Sequence, residues 1–160
     1  MSQKIYAERT VTITRILKAP RFLVWAAWTE PKHLKKWWGP EQFTNPVVEG
    51  EVKVGSLMHI TMRGPKGSNF DRDFPMTKRY REIVPGKKLV FENDSIAPDG
   101  ATLIEGLTTV TFADKDGGTE MVMTTSAKAL TEMAVGMLGG MEQGWSGSFD
   151  KLARYLEKVA

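Results

Sequence analysis

The sequence predicts an α+β fold in which a curved antiparallel sheet of about seven strands wraps a long C-terminal helix. Three observations carry this expectation. One alternating segment, Thr10 to Leu17, stands apart from six others that follow between residues 47 and 126, with turn residues between them. Two short helical segments lie between the first strand and the rest. From about Leu130 to Val159 the apolar period changes to 3.6, and a one-faced helix of about 29 residues, roughly 43 Å long, needs a surface to lie on.

Taken in order, Val11 and Ile13 alternate with Thr12 and Thr14 in the first strand, although Arg15 and Ile16 blur its end. Ala19-Pro20 breaks the strand and suits a first helical turn. Phe22, Val24, Trp25 and Trp28 then give a short helix an apolar face up to Thr29-Glu30. Pro31 opens a second short helix in which Leu34, Trp37 and Trp38 can pack, and Gly39-Pro40 stops it. Strands are expected at 47–54, 57–63, 74–84, 88–94, 104–113 and 120–126. Gly55, Gly64-Pro65-Lys66-Gly67, Pro85-Gly86, Pro98-Asp99-Gly100 and Asp116-Gly117-Gly118 separate them, which suggests a meander.

Composition narrows the function classes. The 160 residues contain no cysteine, so disulfides, thiolate metal sites, iron–sulfur ligation and a cysteine nucleophile are excluded. A net charge of +3 is too weak to point to nucleic acid, even with 17 Lys/Arg against 11 Asp/Glu in the first hundred residues. The polar start Met1-Ser2-Gln3-Lys4 has no leader pattern and no run of eighteen apolar residues exists, so no membrane span and a cytoplasmic location are expected. Only His33 and His59 offer imidazole, with no metal-ligand spacing. Neither a phosphate-cradling nor a dinucleotide-binding glycine pattern is present, and no cofactor is expected. Ser146 and Ser148 lack the Gly-x-Ser-x-Gly pattern and read as packing or surface positions of a helix.

What is unusual is the count of nine Met, five Trp and fifteen Gly. Gly136, Gly140, Gly144 and Gly147 share one stripe of the expected last helix, with Gly139 nearby, at roughly 1 kcal/mol each against Ala. Met133, Met137, Met141, Trp145 and Phe149 form the neighbouring stripe. Two readings account for the glycines. Either the backbone approaches the sheet closely or kinks at Gly139-Gly140, or the missing side chains leave room for an apolar or amphipathic ligand lined by adaptable Met and flat Trp. Met58, Ile60 and Met62 share one strand face, and Met121 and Met123 another. The candidate cavity set is therefore Met58, Ile60, Met62, Met121, Met123, Met133, Met137, Met141 and Trp145.

Acid–base candidates are Glu92 and Asp94 on one strand face, Glu105 on another strand, and His59; none has a motif that marks it catalytic. Arg79 and Arg81, with Lys78 adjacent, suit either an anionic ligand head or a solvated strand face. Lys32, Lys35 and Lys36 beside Trp37-Trp38 form a small basic-aromatic group that suits a partner, a membrane or nucleic acid, although Trp37 fits the core better.

The chain resembles the START-like (SRPBCC) superfamily, and within it the family named for the activator of heat-shock-protein-90 ATPase homologue. The residues that carry the resemblance are Ile13-Thr14-Arg15, Ala19-Pro20, Val24 to Pro31, Leu34 to Pro40, and Phe43-Thr44. Gly55-Ser56, Met62 to Pro65, Tyr80 to Ile83, Leu89-Val90-Phe91 and the segment from Glu142 to Leu156, with Gly144-Trp145, continue it. It covers about residues 8–157 and implies one helix-grip (Bet v 1-like) domain over residues 1–160, in the order β-α-α-β6-α, with a cavity between the sheet and the last helix. Members of the superfamily bind lipids, hormones and polyketides or catalyse cyclisation and related reactions, and the eponymous relatives stimulate a chaperone ATPase with the help of an additional amino-terminal domain. The resemblance carries no catalytic motif onto this chain. Three functions follow as expectations: binding of a small hydrophobic molecule, an acid–base hydrolase or cyclase using the same cavity, or a chaperone-associated interaction module in a stress response. A homodimer is compatible with each.

Overall fold

In the computed structural model, which describes residues 4–159, all seven strands form one antiparallel sheet in the order β1-β7-β6-β5-β4-β3-β2. The polar start Met1-Ser2-Gln3 lies outside the described residues. The strands are β1 (Ala7–Leu17), β2 (Thr44–Glu49), β3 (Leu57–Arg63), β4 (Asp73–Val84), β5 (Lys88–Ile96), β6 (Thr102–Lys115) and β7 (Gly118–Ala129). Helices α1 (Arg21–Thr29) and α2 (Pro31–Trp37) sit between β1 and β2, and α3 (Glu132–Gly139) and α4 (Met141–Val159) close the chain. This is the helix-grip order, with the 19-residue α4 as the long C-terminal helix.

Alternation fixes which side chains enter the core. β7 is the clearest case, with Thr119, Met121, Met123, Thr125, Ala127 and Ala129 buried and every intervening residue partly open. Arg15, which blurs the pattern of β1, occupies an inward position and reaches across to α4. There it pairs with Asp150 at 2.7 Å and donates to the Ser146 carbonyl at 3.2 Å.

Beyond strand ends that extend by a few residues, as in β1, β6 and β7, two expected elements change. The second strand runs over Thr44–Glu49, not 47–54. Its outer-edge place in the sheet tolerates Pro46, and Gly50, at φ +135°, ends it where a Cβ would meet the Leu57 carbonyl at 2.7 Å. The expected single helix from Leu130 to Val159 is two helices that meet at Gly140. Thr131 caps α3 by accepting from the Ala134 amide at 3.2 Å. At the other end Arg9 donates to the Leu138 and Gly139 carbonyls at 3.0 and 3.3 Å, which supplies donors and positive charge to a helix C-terminus.

The main core is aromatic and sulfur-rich. Trp28 is fully buried and meets Trp37, Trp38, Phe91, Phe112, Trp145 and Phe149 at centroid distances of 4.9–6.4 Å. Methionine sulfurs accept from buried aromatic donors: Trp28 Nε1 donates to Met121 Sδ at 3.2 Å and Trp38 Nε1 to Met76 Sδ at 3.1 Å. Part of the methionine excess is thus a means of pairing indole N–H groups inside an apolar core. A smaller cluster of Ala127, Ala129, Ala134 and Leu138 seats α3 on the sheet.

Candidate functional site

A pocket of about 240 Å³ lies between the inner face of the sheet and the α3–α4 junction. Met62 of β3, Met76 of β4 and Ile104 of β6 form much of its sheet wall. Met137 and Leu138 of α3, with Met141 and Trp145 of α4, form the opposite wall. Trp38, Gly39 and Pro40, in the turn after α2, close one end.

That turn is held by the helix behind it. Gly39 adopts φ +88°, and a Cβ there would come within 2.8 Å of Met62 Sδ. Ser148 donates to the Gly39 carbonyl at 2.7 Å. Lys151 Nζ lies 3.1–3.3 Å from the carbonyls of Trp38, Gly39, Pro40 and Phe43, so three N–H donors serve four acceptors. Burial pushes the Lys151 ammonium down from its usual range, with Arg154 acting in the same direction and Glu41 against it.

The polar part of the lining is small. Thr125 and Asn93 face the pocket from β7 and β5, and the fully buried Thr108 joins them. Thr108 donates to Asn93 Oδ1 at 2.8 Å and shares a 2.7 Å hydrogen bond with Thr125. With its oxygen engaged, the Asn93 carboxamide has two N–H donors left to offer. Gly106 lets β6 approach Asn93, since a Cβ there would lie 2.7 Å from its backbone carbonyl oxygen and 2.9 Å from the carboxamide nitrogen. Ser95 and Ser148 complete the polar set.

Of the candidate cavity residues, Met62, Met137, Met141 and Trp145 line the pocket. Met58, Ile60, Met121 and Met123 are buried in the packed core beyond its lining, and Met133 is 68% exposed on the outer side of α3. The glycine stripe divides as well. Gly140 and Gly144 line the pocket, and a Cβ at Gly144 would make only an ordinary 3.8 Å contact with Pro40. Gly147 packs tightly on Glu41, where a Cβ would lie 3.2 Å from Cγ. At Gly136 and Gly139 a Cβ would meet nothing within 4 Å, so the close-approach explanation does not extend to them.

The acid–base candidates lie elsewhere. Asn93 and Ser95 face the pocket, so alternation turns Glu92 and Asp94 to the opposite face of the sheet. Glu92 there pairs with Arg81 and Arg79. Burial pushes the Asp94 carboxyl up, helped by Glu105 and Glu92 and opposed by a backbone hydrogen bond from Gly106. Glu105 and His59 are exposed. His33 bonds through Nδ1 to the Tyr155 hydroxyl, joining α2 to α4. Lys32, Lys35 and Lys36 are exposed whereas Trp37 and Trp38 turn inward, so they do not form one basic-aromatic surface. Among the described residues, no group of three His, Asp or Glu side chains is placed to hold a metal, and no helix is long and apolar enough to cross a membrane.

Lys78 departs from the expected solvated strand face. It does not join Arg79 and Arg81 on a solvated face; it is fully buried. Its Nζ lies 3.6 Å from the ring centroid of Trp38, 4.5 Å from that of Phe91 and 5.6 Å from that of Trp28, and has no hydrogen-bond partner among the described residues. Burial alone pushes the amine well below the usual lysine range. The signal was present in the parity of the strand, because Lys78 falls between Met76 and Tyr80 on the inward face.

Comparison with known proteins places this geometry in context. Residues 18–157 match the family described as activator of Hsp90 ATPase homolog 1-like protein. An uncharacterised protein of Rhizobium leguminosarum has a similar structure, with 24% identity, a TM-score of 0.81, and 95% of this chain and 96% of that one covered. A Chromobacterium violaceum protein is 23% identical with a TM-score of 0.78 over 92% and 96% of the two chains. A Mycobacterium smegmatis protein gives 19%, 0.78, 98% and 100%. At these identities the likeness concerns the fold. No curated protein matches the chain.

Proposed function

Since the chain belongs to the activator of Hsp90 ATPase homolog 1-like family, whose scaffold here surrounds an apolar pocket, we propose that it binds a small hydrophobic or amphipathic molecule between the sheet and the α3–α4 junction. The observation that carries this reading is the composition of the pocket wall. Met62, Met76, Met137 and Met141, with Trp38 and Trp145, surround a space of about 240 Å³ and leave only a few polar groups to orient an occupant. Methionine walls adapt to shape, and indole faces accept flat or aliphatic partners. An apolar cavity of roughly 150 Å³ holds benzene, so this one suits a substituted aromatic ring or a short aliphatic chain with one polar end directed at Asn93.

Thermal-shift measurements with small aromatic alcohols and medium-chain alcohols test the proposal. Stabilisation of the wild type is expected, and Gly144→Phe, which projects a ring into the pocket, should lose it while remaining folded. Gly136→Phe, placed where a Cβ meets nothing within 4 Å and outside the lining, should keep it. Absence of any shift across the panel, or equal shifts in wild type and Gly144→Phe, would sink the reading.

A further inference from the structure

We propose that Lys78 is a carbonyl-reactive amine, positioned to condense with an aldehyde or ketone held in the pocket and to form a Schiff base. The inference deepens the binding proposal and rests on it. Three features of the structure lead to it.

The first is the isolation of Nζ. No carboxylate lies within ion-pair distance and no hydrogen-bond acceptor reaches it among the described residues, so nothing in the protein uses its lone pair or its N–H groups. The lysine stem alone would be served equally well by methionine. Desolvation favours the uncharged amine, which is the nucleophilic form.

The second is position. Lys78 lies two residues along β4 from Met76, pairs in register with Asn93, and faces the ring of Trp38. Trp38, Met76 and Asn93 all line the pocket. Residues that neighbour Lys78 thus also line the ligand space, and one of them, the flexible thioether of Met76, is tied to Trp38 by a single N–H···S hydrogen bond of 3.1 Å. In this proposal a carbonyl compound reaches Nζ by rotation of the Met76 side chain.

The third is the cage itself. A carboxylate brought to Nζ would carry its charge to the negative faces of three aromatic rings, whereas a neutral carbonyl, and the neutral imine it forms, bring no charge into the cage. The surroundings thus favour a carbonyl partner over an anion. In the reaction, the nitrogen lone pair attacks the carbonyl carbon and the C–O π pair moves to oxygen. That oxygen takes a proton from nitrogen to give a carbinolamine. Loss of water, which carries away the second N–H proton, leaves C=N. One carbonyl compound and one amine give one imine and one water, with no change of oxidation state. Asn93, its oxygen held by Thr108, can donate an N–H to the carbonyl oxygen as charge develops there.

The test uses the full chain, 4-methylbenzaldehyde as the carbonyl probe and 4-methylbenzyl alcohol as its unreactive analogue. Incubation with the aldehyde followed by borohydride reduction converts an imine to a stable secondary amine, which peptide mass spectrometry locates. Labelling of Lys78 at least about tenfold faster than of exposed Lys35 or Lys36 is expected, with competition by the alcohol and loss in Gly144→Phe. Lys78→Met should lose the rapid adduct yet still be stabilised by the alcohol. If the alcohol binds but label appears only on surface lysines, the amine proposal is overturned and pocket binding stands. If neither compound binds and Lys78 stays unlabelled, both fall. Labelling of Lys78 that the alcohol does not compete and Gly144→Phe does not reduce would overturn the route through the pocket.

Discussion

Replacing Lys78 with methionine should make the protein more stable, although it removes a charged residue from the middle of a strand. The side chain has no exposed surface, so methionine fills nearly the same volume and keeps the apolar stem in contact with Trp38 and Phe91. Burying an ammonium costs several kcal/mol, and cation–π attraction to the nearest ring returns only about 2 kcal/mol. The amine therefore releases its proton on folding, and a neutral amine without a partner still costs about 1–3 kcal/mol. At about pH 10.4, where the unfolded chain also gives up this proton, a gain of about 2 kcal/mol is expected for Lys78→Met, a rise in Tm of about 4–8 °C for a domain of this size; at lower pH the cost of deprotonation adds to it. The pH dependence follows from linkage. The unfolded chain keeps this proton up to about pH 10.4, whereas the folded protein gives it up at lower pH. Between those two values the unfolded state holds more protons, so wild-type stability rises with pH there. The advantage of Lys78→Met should consequently shrink as pH rises from about 7 towards about 10.4. Tyr80, the titratable neighbour on the same inward face, is pushed above its ordinary range by burial and stays neutral throughout this window. Urea unfolding followed by tryptophan fluorescence measures the difference at each pH, with the m-value showing whether the unfolded state has changed. A less stable Lys78→Met, or a difference that does not vary with pH, would refute the burial argument.

Gly144→Ala is expected to stabilise α4 by about 1 kcal/mol, because its Cβ makes an ordinary contact with Pro40. It should also reduce the thermal shift given by 4-methylbenzyl alcohol, since it narrows the pocket. Lys151→Met leaves four carbonyls of the 38–43 turn without their charged donor and should lower stability by about 2 kcal/mol; chemical denaturation measures this. Thr131→Ala removes the N-cap of α3 at a cost of about 1 kcal/mol. Hydrogen exchange should then show faster exchange confined to residues 132–139, because α3 is seated by a small cluster separate from the main core.

The parts of the fold legible from sequence are those with a local signature. Period-two alternation in β7 and the Gly39-Pro40 stop after α2 arise from backbone geometry that each segment carries in its own residues. The break at Gly140 falls where one of the two readings of the glycines puts a kink, but the helical period alone does not mark it. A run of Met and Leu at helical spacing passes through it, and the carbonyls that end α3 are held by Arg9, which arrives from a strand more than a hundred residues away. Methionine's flexibility suggests soft, open space. In the folded chain Met76 and Met121 accept hydrogen bonds from tryptophan, a role that depends on which indole comes within reach.

The sequence by itself determined the order of the elements, the inward parity of most strands, the family and the chemistries that a chain without cysteine lacks. Only the tertiary structure decided which of its methionines line a pocket, that Glu92 and Asp94 look away from it, and that Lys78 lies inside an aromatic cage. The physical reason is the range of the forces involved. Alternation and helical period are set by neighbours in the chain, whereas burial, pairing and proton affinity are set by residues from α1, α2, β4, β5 and α4 that meet only when the sheet closes around its last helix.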